Sequence, residues 1–267
     1  MELSYRKLGA GKPVIILHGL YGSSDNWYTI GRALAAQHEV FIPDQRNHGN
    51  SPHSADHDYN IMADDLNDFF IQHNLHKAVI LGHSMGGKTA MAFGLKYPEK
   101  VEKMIVVDIS PFGYDETSAP EVVSHEQIMR SLMMLQPETL KGRKDADNRL
   151  QDHIRQEPVR QFLLKNLKRN SEGIFYWTMN LPVLQQHLPD IYASIMPPGI
   201  NGPADIPAFP LMFIKGENSG YLRKEEFDSI KHFFPHAELA EIAGAGHWVH
   251  AERPDEFLET IRNFISE

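Results

Sequence analysis

The feature that most constrains this chain is a series of short, wholly apolar runs, each cut off by a turn-forming residue. Val14-Ile15-Ile16-Leu17 stops at His18-Gly19, Val40-Phe41-Ile42 at Pro43-Asp44, Ala78-Val79-Ile80-Leu81 at Gly82, and Met104-Ile105-Val106-Val107 at Asp108. A strand without polar alternation is buried on both faces, as happens in a parallel sheet covered by helices. The intervening text supplies those helices, over residues 27–36, 61–73 and 89–97, the last halted by Pro98. Strand, helix and strand in repetition predict a doubly wound α/β architecture with a mostly parallel sheet.

From residue 112 to 206 the strand signal disappears. Apolar positions such as Ile128, Leu132 and Leu135 recur at helical spacing, which predicts an all-helical insertion closed by a Pro/Gly-rich connector over residues 196–203. The sheet resumes with Leu211-Met212-Phe213-Ile214 and residues 237–242, and residues 254–265 form a last helix with Pro254 in its first turn. The expected organisation is a core of residues 1–111 and 207–267 carrying a helical cap of residues 112–206. A length of 267 residues suits one domain with one insertion, and 42% apolar with 23% charged residues is ordinary globular composition. No apolar run approaches the ~20 residues of a membrane-crossing helix. The opening Met1-Glu2-Leu3-Ser4-Tyr5-Arg6-Lys7 lacks a basic segment followed by an apolar stretch, so a cytoplasmic location is expected.

The absence of cysteine excludes disulfides, thiolate nucleophiles and cysteine-ligated metals. With 26 basic against 35 acidic side chains the net charge is −9, which disfavours nucleic acid as a partner. The positive charge is unevenly spread: residues 130–170 hold ten Lys/Arg against five acids, a net +5, and the remainder is −14.

Gly82-His83-Ser84-Met85-Gly86 has the Gly-x-Ser-x-Gly pattern of a nucleophile elbow, directly after an apolar strand and before a helix. The glycines let strand and helix backbones approach around a sharply turned serine. A serine hydroxyl is a weak nucleophile at neutral pH and needs an imidazole base, itself held in one tautomer by an acid. Of the 15 histidines, His247 in Gly244-Ala245-Gly246-His247-Trp248 is the best placed, just past a predicted strand and seven residues before Pro254. His53, His57, His73, His76, His232 and His236 fall in polar text and read as solvated. An oxyanion hole requires two backbone amides. Met85, following the serine, supplies one, and Leu20 in His18-Gly19-Leu20-Tyr21-Gly22 is the candidate for the other.

These segments, with Asp44-Gln45-Arg46-Asn47-His48-Gly49-Asn50-Ser51, Val106-Val107-Asp108-Ile109-Ser110-Pro111 and residues 243–254, resemble the α/β-hydrolase superfamily along nearly the whole chain. Within it the chain is most similar to the bacterial YbfF-type esterases, relatives of acyl-thioester and ester hydrolases. The resemblance implies that the Asp44–Ser51 segment is structural, with His48 a hydrogen-bonded loop anchor. It also implies an acid other than the commonest one. Most superfamily members carry an Asp in the turn that here reads Gly216-Glu217-Asn218-Ser219, with Ser219 in the Asp position. By likeness to the YbfF type, Asp108 is the orienting acid and Ser219 adds a supporting hydrogen bond, completing a set of Ser84, His247, Asp108 and Ser219. Glu217 is the rival acid.

The implied activity is hydrolysis of a carboxylic ester or an acyl-CoA-like thioester through an acyl-enzyme, with no metal or cofactor. Cap residues including Met129, Leu132, Met133, Met134, Leu135, Phe162, Phe175, Tyr176, Trp177 and Met179 either line an acyl crevice or pack the cap's own core. The basic cap segment is either a dock for coenzyme A phosphates or solvated surface. A carbon–carbon bond hydrolase, a cofactor-free haloperoxidase and a non-catalytic binding protein are compatible with the same motifs. Oligomeric state is not legible in the chain.

Overall fold

The computed structural model describes residues 1–114, 124–196, 198, 202 and 208–266. The connector expected over residues 196–203, and the expected core boundary at 206/207, fall mostly outside the described residues. Nine strands are present among the described residues: β1 (Tyr5–Leu8), β2 (Lys12–Leu17), β3 (His38–Pro43), β4 (Ala78–His83), β5 (Val101–Val107), β6 (Leu167–Arg169), β7 (Phe175–Trp177), β8 (Leu211–Gly216) and β9 (Glu238–Ile242). Seven of them form one sheet in the order β1-β3-β2-β4-β5-β8-β9. Every pairing in it is parallel except β1 with β3. The four apolar runs are β2, β3, β4 and β5, and Leu211-Met212-Phe213-Ile214 is β8.

Side-chain alternation divides the core in two. On one face Val14, Ile16, Val40, Ile42, Val79, Leu81, Ile105, Val107 and Ile214 meet the helices α1 (Tyr28–Leu34) and, at the C-terminus, residues Phe257, Ile261 and Phe264. On the other, Ile15, Leu17, Phe41, Ile80, Met104, Val106 and Phe213 meet α2 (Tyr59–Gln72) and α3 (Met85–Lys96). Each of β2, β3, β4, β5 and β8 therefore feeds two cores, and no polar alternation is allowed in its apolar run. The antiparallel edge strand β1 has no counterpart in the sequence reading. Its Tyr-Arg-Lys are exposed, and an edge strand needs no apolar run.

Inserted after β5, the described part of the insertion carries α4 (His125–Met134), α5 (Arg143–Leu150), α6 (Glu157–Leu164), α7 (Leu181–Gln186) and α8 (Leu188–Tyr192). It is not all helical, contrary to expectation: β6 and β7 form an antiparallel hairpin pairing Leu167 with Trp177 and Arg169 with Phe175. A tight turn makes it, with Asn170 N donating to Ile174 O at 2.9 Å and Gly173 at a φ of 81°. Three-residue strands interrupted by charges carry too little periodicity to be read in advance.

The insertion is bolted to the sheet domain by buried polar contacts. Asn166 Nδ2 donates to Tyr21 O at 2.7 Å, Asn180 N to Asn47 O at 3.0 Å, and Tyr59 Oη to Ile191 O at 2.8 Å. Lys88 Nζ, reaching up from α3, donates to Ala193 O at 2.6 Å and Tyr192 O at 3.3 Å. After β8 the chain continues through α9 (Phe227–Phe233), β9, α10 (Val249–Glu252) and α11 (Pro254–Ser266). No described helix is long and apolar enough to cross a membrane.

Candidate active site

Ser84 sits where β4 hands over to α3, at φ 53° and ψ −121°, a conformation that side chains rarely adopt. Its surroundings enforce it. Ser84 N donates to Val107 O at 2.9 Å, and Ser84 O accepts from Gly87 N at 2.8 Å and Lys88 N at 3.1 Å. A Cβ on Gly82 would lie 2.2 Å from Gly86 O, and one on Gly86 would lie 2.4 Å from Leu17 O, so the elbow closes only with glycine at both positions. The loop after β2 presses against this elbow: a Cβ on Gly19 would come within 3.1 Å of Ser84 Cβ.

Asp108 ends the neighbouring strand, also at a φ of 53°, with its side chain wholly buried. Its Oδ1 accepts from Gly216 N at 3.0 Å; its Oδ2 takes His247 Nδ1 at 2.7 Å and the Ser219 hydroxyl. Three residues distant in sequence are thus joined at one carboxyl. Glu217 is elsewhere: on exposed surface, its carboxylate accepts from Gly244 N at 2.7 Å.

His247 is held by its backbone as well. His83 Nε2 lies 2.8 Å from the His247 carbonyl, an acceptor only, so the His83 proton must be on Nε2. With Nδ1 committed to Asp108, Nε2 is the His247 nitrogen left for chemistry. Burial drives the Asp108 carboxyl up to about 7, against the lowering influence of the Ser219 hydroxyl and the Gly216 amide. Burial also pushes the His247 imidazole down to about 3, so the ring is neutral at neutral pH.

Ser84 and His247 both line a cavity of about 190 Å³. The sheet domain contributes Leu20, Tyr21, Ser219, Tyr221 and Trp248, and the insertion contributes His125, Ile128, Val159, Phe162 and Leu163. Of the ten insertion residues named from sequence as crevice or core, only Phe162 reaches the cavity. Met129, Leu132, Leu135, Phe175 and Met179 are buried in the core, and Met133, Met134 and Tyr176 face outward. Helical spacing tells which residues turn inward but not which of two interiors they meet.

Leu20 lines the cavity, and the two amides after it are spent, Tyr21 N on His48 Nε2 at 3.3 Å and Gly22 N on Gly19 O at 2.9 Å. Met85 opens α3, where helix geometry leaves its amide without an intrahelical acceptor.

The Asp44–Ser51 segment is a buried framework. Asp44 accepts from Ser24 N at 2.6 Å and Asn50 N at 2.9 Å, Arg46 forks onto Asp65, and His48 Nδ1 lies 3.0 Å from Arg46 O. His57, read as solvated, is fully buried beside Asn47 Nδ2 at 3.4 Å, because the loop folds back beneath the insertion. Several cations of residues 130–170 are already engaged: Arg160 with Asp147 and two carbonyls, Arg149 with Asp145, Lys168 with Asp25, and Arg143 with Leu167 O. No Lys or Arg is among the cavity's lining residues.

Three functional-looking residues escaped the sequence reading. His83 was inside the quoted motif, yet nothing local marks its bond to a residue 164 positions away. Tyr221 and His125 carry no motif at all.

Comparison with known proteins identifies the family. Residues 12–254 match the family described as alpha/beta hydrolase fold. The chain is 35% identical to the esterase YbfF of Escherichia coli, over 96% of this chain and 93% of that protein. It is 38% identical to the sn-1-specific diacylglycerol lipase ABHD11 of Xenopus laevis, over 96% of this chain and 80% of the relative. A solved marine microorganism esterase superposes with a TM-score of 0.93 at 43% identity, covering 98% of this chain and 99% of its own. By sequence match and by architecture, the chain belongs to the alpha/beta hydrolase fold family.

Proposed function

We propose that this protein is a serine esterase that cleaves carboxylic esters, and thioesters of the acyl-CoA kind, through an acyl-enzyme on Ser84. The observation that carries the reading is the 2.7 Å contact between His247 Nδ1 and the buried Asp108, on the wall of the cavity that Ser84 also lines. Esterases and a lipase among the relatives support the same class of chemistry.

In this mechanism His247 Nε2 takes the Ser84 proton as the hydroxyl oxygen attacks the ester carbonyl. Asp108 fixes the tautomer and faces the charge that develops on the ring. The Leu20 and Met85 amides receive the oxyanion. Collapse of the tetrahedral intermediate expels the alcohol or thiol, which leaves with the proton from His247. Water, deprotonated by the same nitrogen, then releases the acid and restores Ser84.

The cavity is small beside the roughly 300–1,000 Å³ of drug-sized sites, which favours a short acyl group. Incubation with a fluorophosphonate followed by mass spectrometry tests the mechanism: one adduct on Ser84, absent in Ser84→Ala, is expected, and a folded but unlabelled protein would overturn it. Ionic strength tests the acyl-CoA part. Docking of phosphates on the basic segment requires kcat/KM for an acyl-CoA to fall with salt while that for a neutral p-nitrophenyl ester stays flat. Parallel responses would confine the reading to neutral esters.

A further inference from the structure

The β8–α9 loop serves both partners of the buried pair. Ser219 gives its hydroxyl to Asp108, and two residues later Tyr221 lays its ring on His247 with centroids 3.9 Å apart and planes 25° from parallel. Tyr221 N donates to Ser219 Oγ at 3.3 Å, so the two contacts are one rigid unit. The tyrosine hydroxyl leaves the sheet domain altogether: it lies 3.0 Å from Nε2 of His125, the first residue of α4 in the insertion. Tyr21 Oη donates to the His125 carbonyl at 3.4 Å, fixing that residue from a second side.

With His247 as the base of the reaction proposed above, we propose that Tyr221 is a positioning residue that favours the protonated imidazole in the transition state. The insertion, through His125, holds its ring in place. The face of an aromatic ring attracts a cation and gains little from a neutral ring. His247 is neutral before the reaction and positive while it holds the Ser84 proton, so the stack contributes selectively to the transition state. The other groups near the imidazole do not duplicate this. Asp108 meets it at Nδ1; His83, with its ring centroid 4.7 Å away, is itself kept neutral by burial; the Trp248 ring lies farther off, at 5.9 Å and 64° to the imidazole, in an edge arrangement rather than a stack. The Glu252 carboxylate is spent on the Gly246 and Trp248 amides. A selective effect of this kind acts on kcat and leaves KM alone, whereas a residue that merely walls the cavity acts on KM.

The test is steady-state hydrolysis of a p-nitrophenyl ester by the full chain carrying Tyr221→Leu, Tyr221→Phe, His125→Phe, or the last two together. Tyr221→Leu is expected to lower kcat about tenfold, ~1.4 kcal/mol in the barrier, with KM within twofold. Tyr221→Phe keeps the stack and is expected to lose no more than about threefold; His125→Phe should match it, and the double variant should lose no more than either, because both remove one hydrogen bond. Should the leucine variant fail to fold, Tyr221→Met makes the same comparison at a different side-chain shape. Unchanged kcat in the leucine variant, equal losses for leucine and phenylalanine, or a change confined to KM would overturn the inference. Fluorophosphonate labelling of the wild type separates the two levels: no adduct on Ser84 removes the esterase reading itself, whereas an adduct together with unaltered Tyr221→Leu kinetics removes only this one.

Discussion

Replacing Asp108 with asparagine has a consequence that can be worked out atom by atom. The carboxyl has fixed partners: Gly216 N, a backbone donor, on Oδ1, and His247 Nδ1 with the Ser219 hydroxyl on Oδ2. An asparagine must place its oxygen toward Gly216, because an amide NH₂ there would meet another N–H. The NH₂ then faces His247 Nδ1 and donates to it. That nitrogen must be the unprotonated one, so the ring proton moves to Nε2, which in the proposed mechanism is the nitrogen that accepts the Ser84 proton. The side chain stays isosteric and buried, and the fold is kept, but His247 is in the wrong tautomer for the proposed mechanism. The expected loss in kcat is on the order of 10⁴, ~5.4 kcal/mol, for hydrolysis of a p-nitrophenyl ester at neutral pH. Glu217→Gln, which touches only the Gly244 amide, should cost no more than a few-fold. Circular dichroism and urea unfolding check that both variants are folded. Retention of activity within tenfold by a folded Asp108→Asn, or a larger loss in Glu217→Gln, would refute the assignment of the acid.

Three further outcomes are expected. Ser219→Ala removes a donor that holds the Asp108 carboxyl down, so the acid limb of kcat/KM, set by a carboxyl already raised to about 7, should move to higher pH; kcat at pH 7 should fall roughly tenfold. A limb that stays put or moves down contradicts the contact. Stability should drop on mild acidification: His48, His57, His83 and His250 are buried and held below 6.5, so the stability they confer is whole above 6.5 and is lost as pH falls below it. His57, His83 and His247, each held at about 3, cost about 1.3 kcal/mol apiece between pH 7 and 5.5, while Asp108, raised in the fold to about 7, returns about 1.6 kcal/mol, for a net loss of about 2 kcal/mol that His48 and His250 deepen. Urea midpoints that are flat over this range would contradict it, and His57→Gln should shallow the dependence by about one proton. Finally, Gly86→Ala forces a Cβ to within 2.4 Å of Leu17 O, and the variant should lose both fluorophosphonate labelling and at least 1–3 kcal/mol of stability; a labelled, fully stable variant would show that the elbow has more room than the structure gives it.

The sequence alone determined the central sheet, because β2, β3, β4, β5 and β8 are buried on both faces and burial on both faces leaves an unbroken apolar run. It also marked the elbow at Ser84, where steric crowding permits only glycine on either side, and a histidine before the last helix. It did not disclose β1 or the β6–β7 hairpin, whose short, partly charged strands obey no strong period. Nor did it separate the residues of the insertion that face the cavity from those that pack its core. The choice of Asp108 over Glu217 came from resemblance, and the structure bears on it with a hydrogen bond spanning 139 residues of chain. The burial of His57, the grip of His83 on the His247 carbonyl and the path from His125 through Tyr221 to the imidazole belong to the tertiary structure alone. Local patterns are imposed by the backbone and solvent on neighbouring residues, whereas these contacts exist only once parallel strands have set their register and the insertion has docked across their ends.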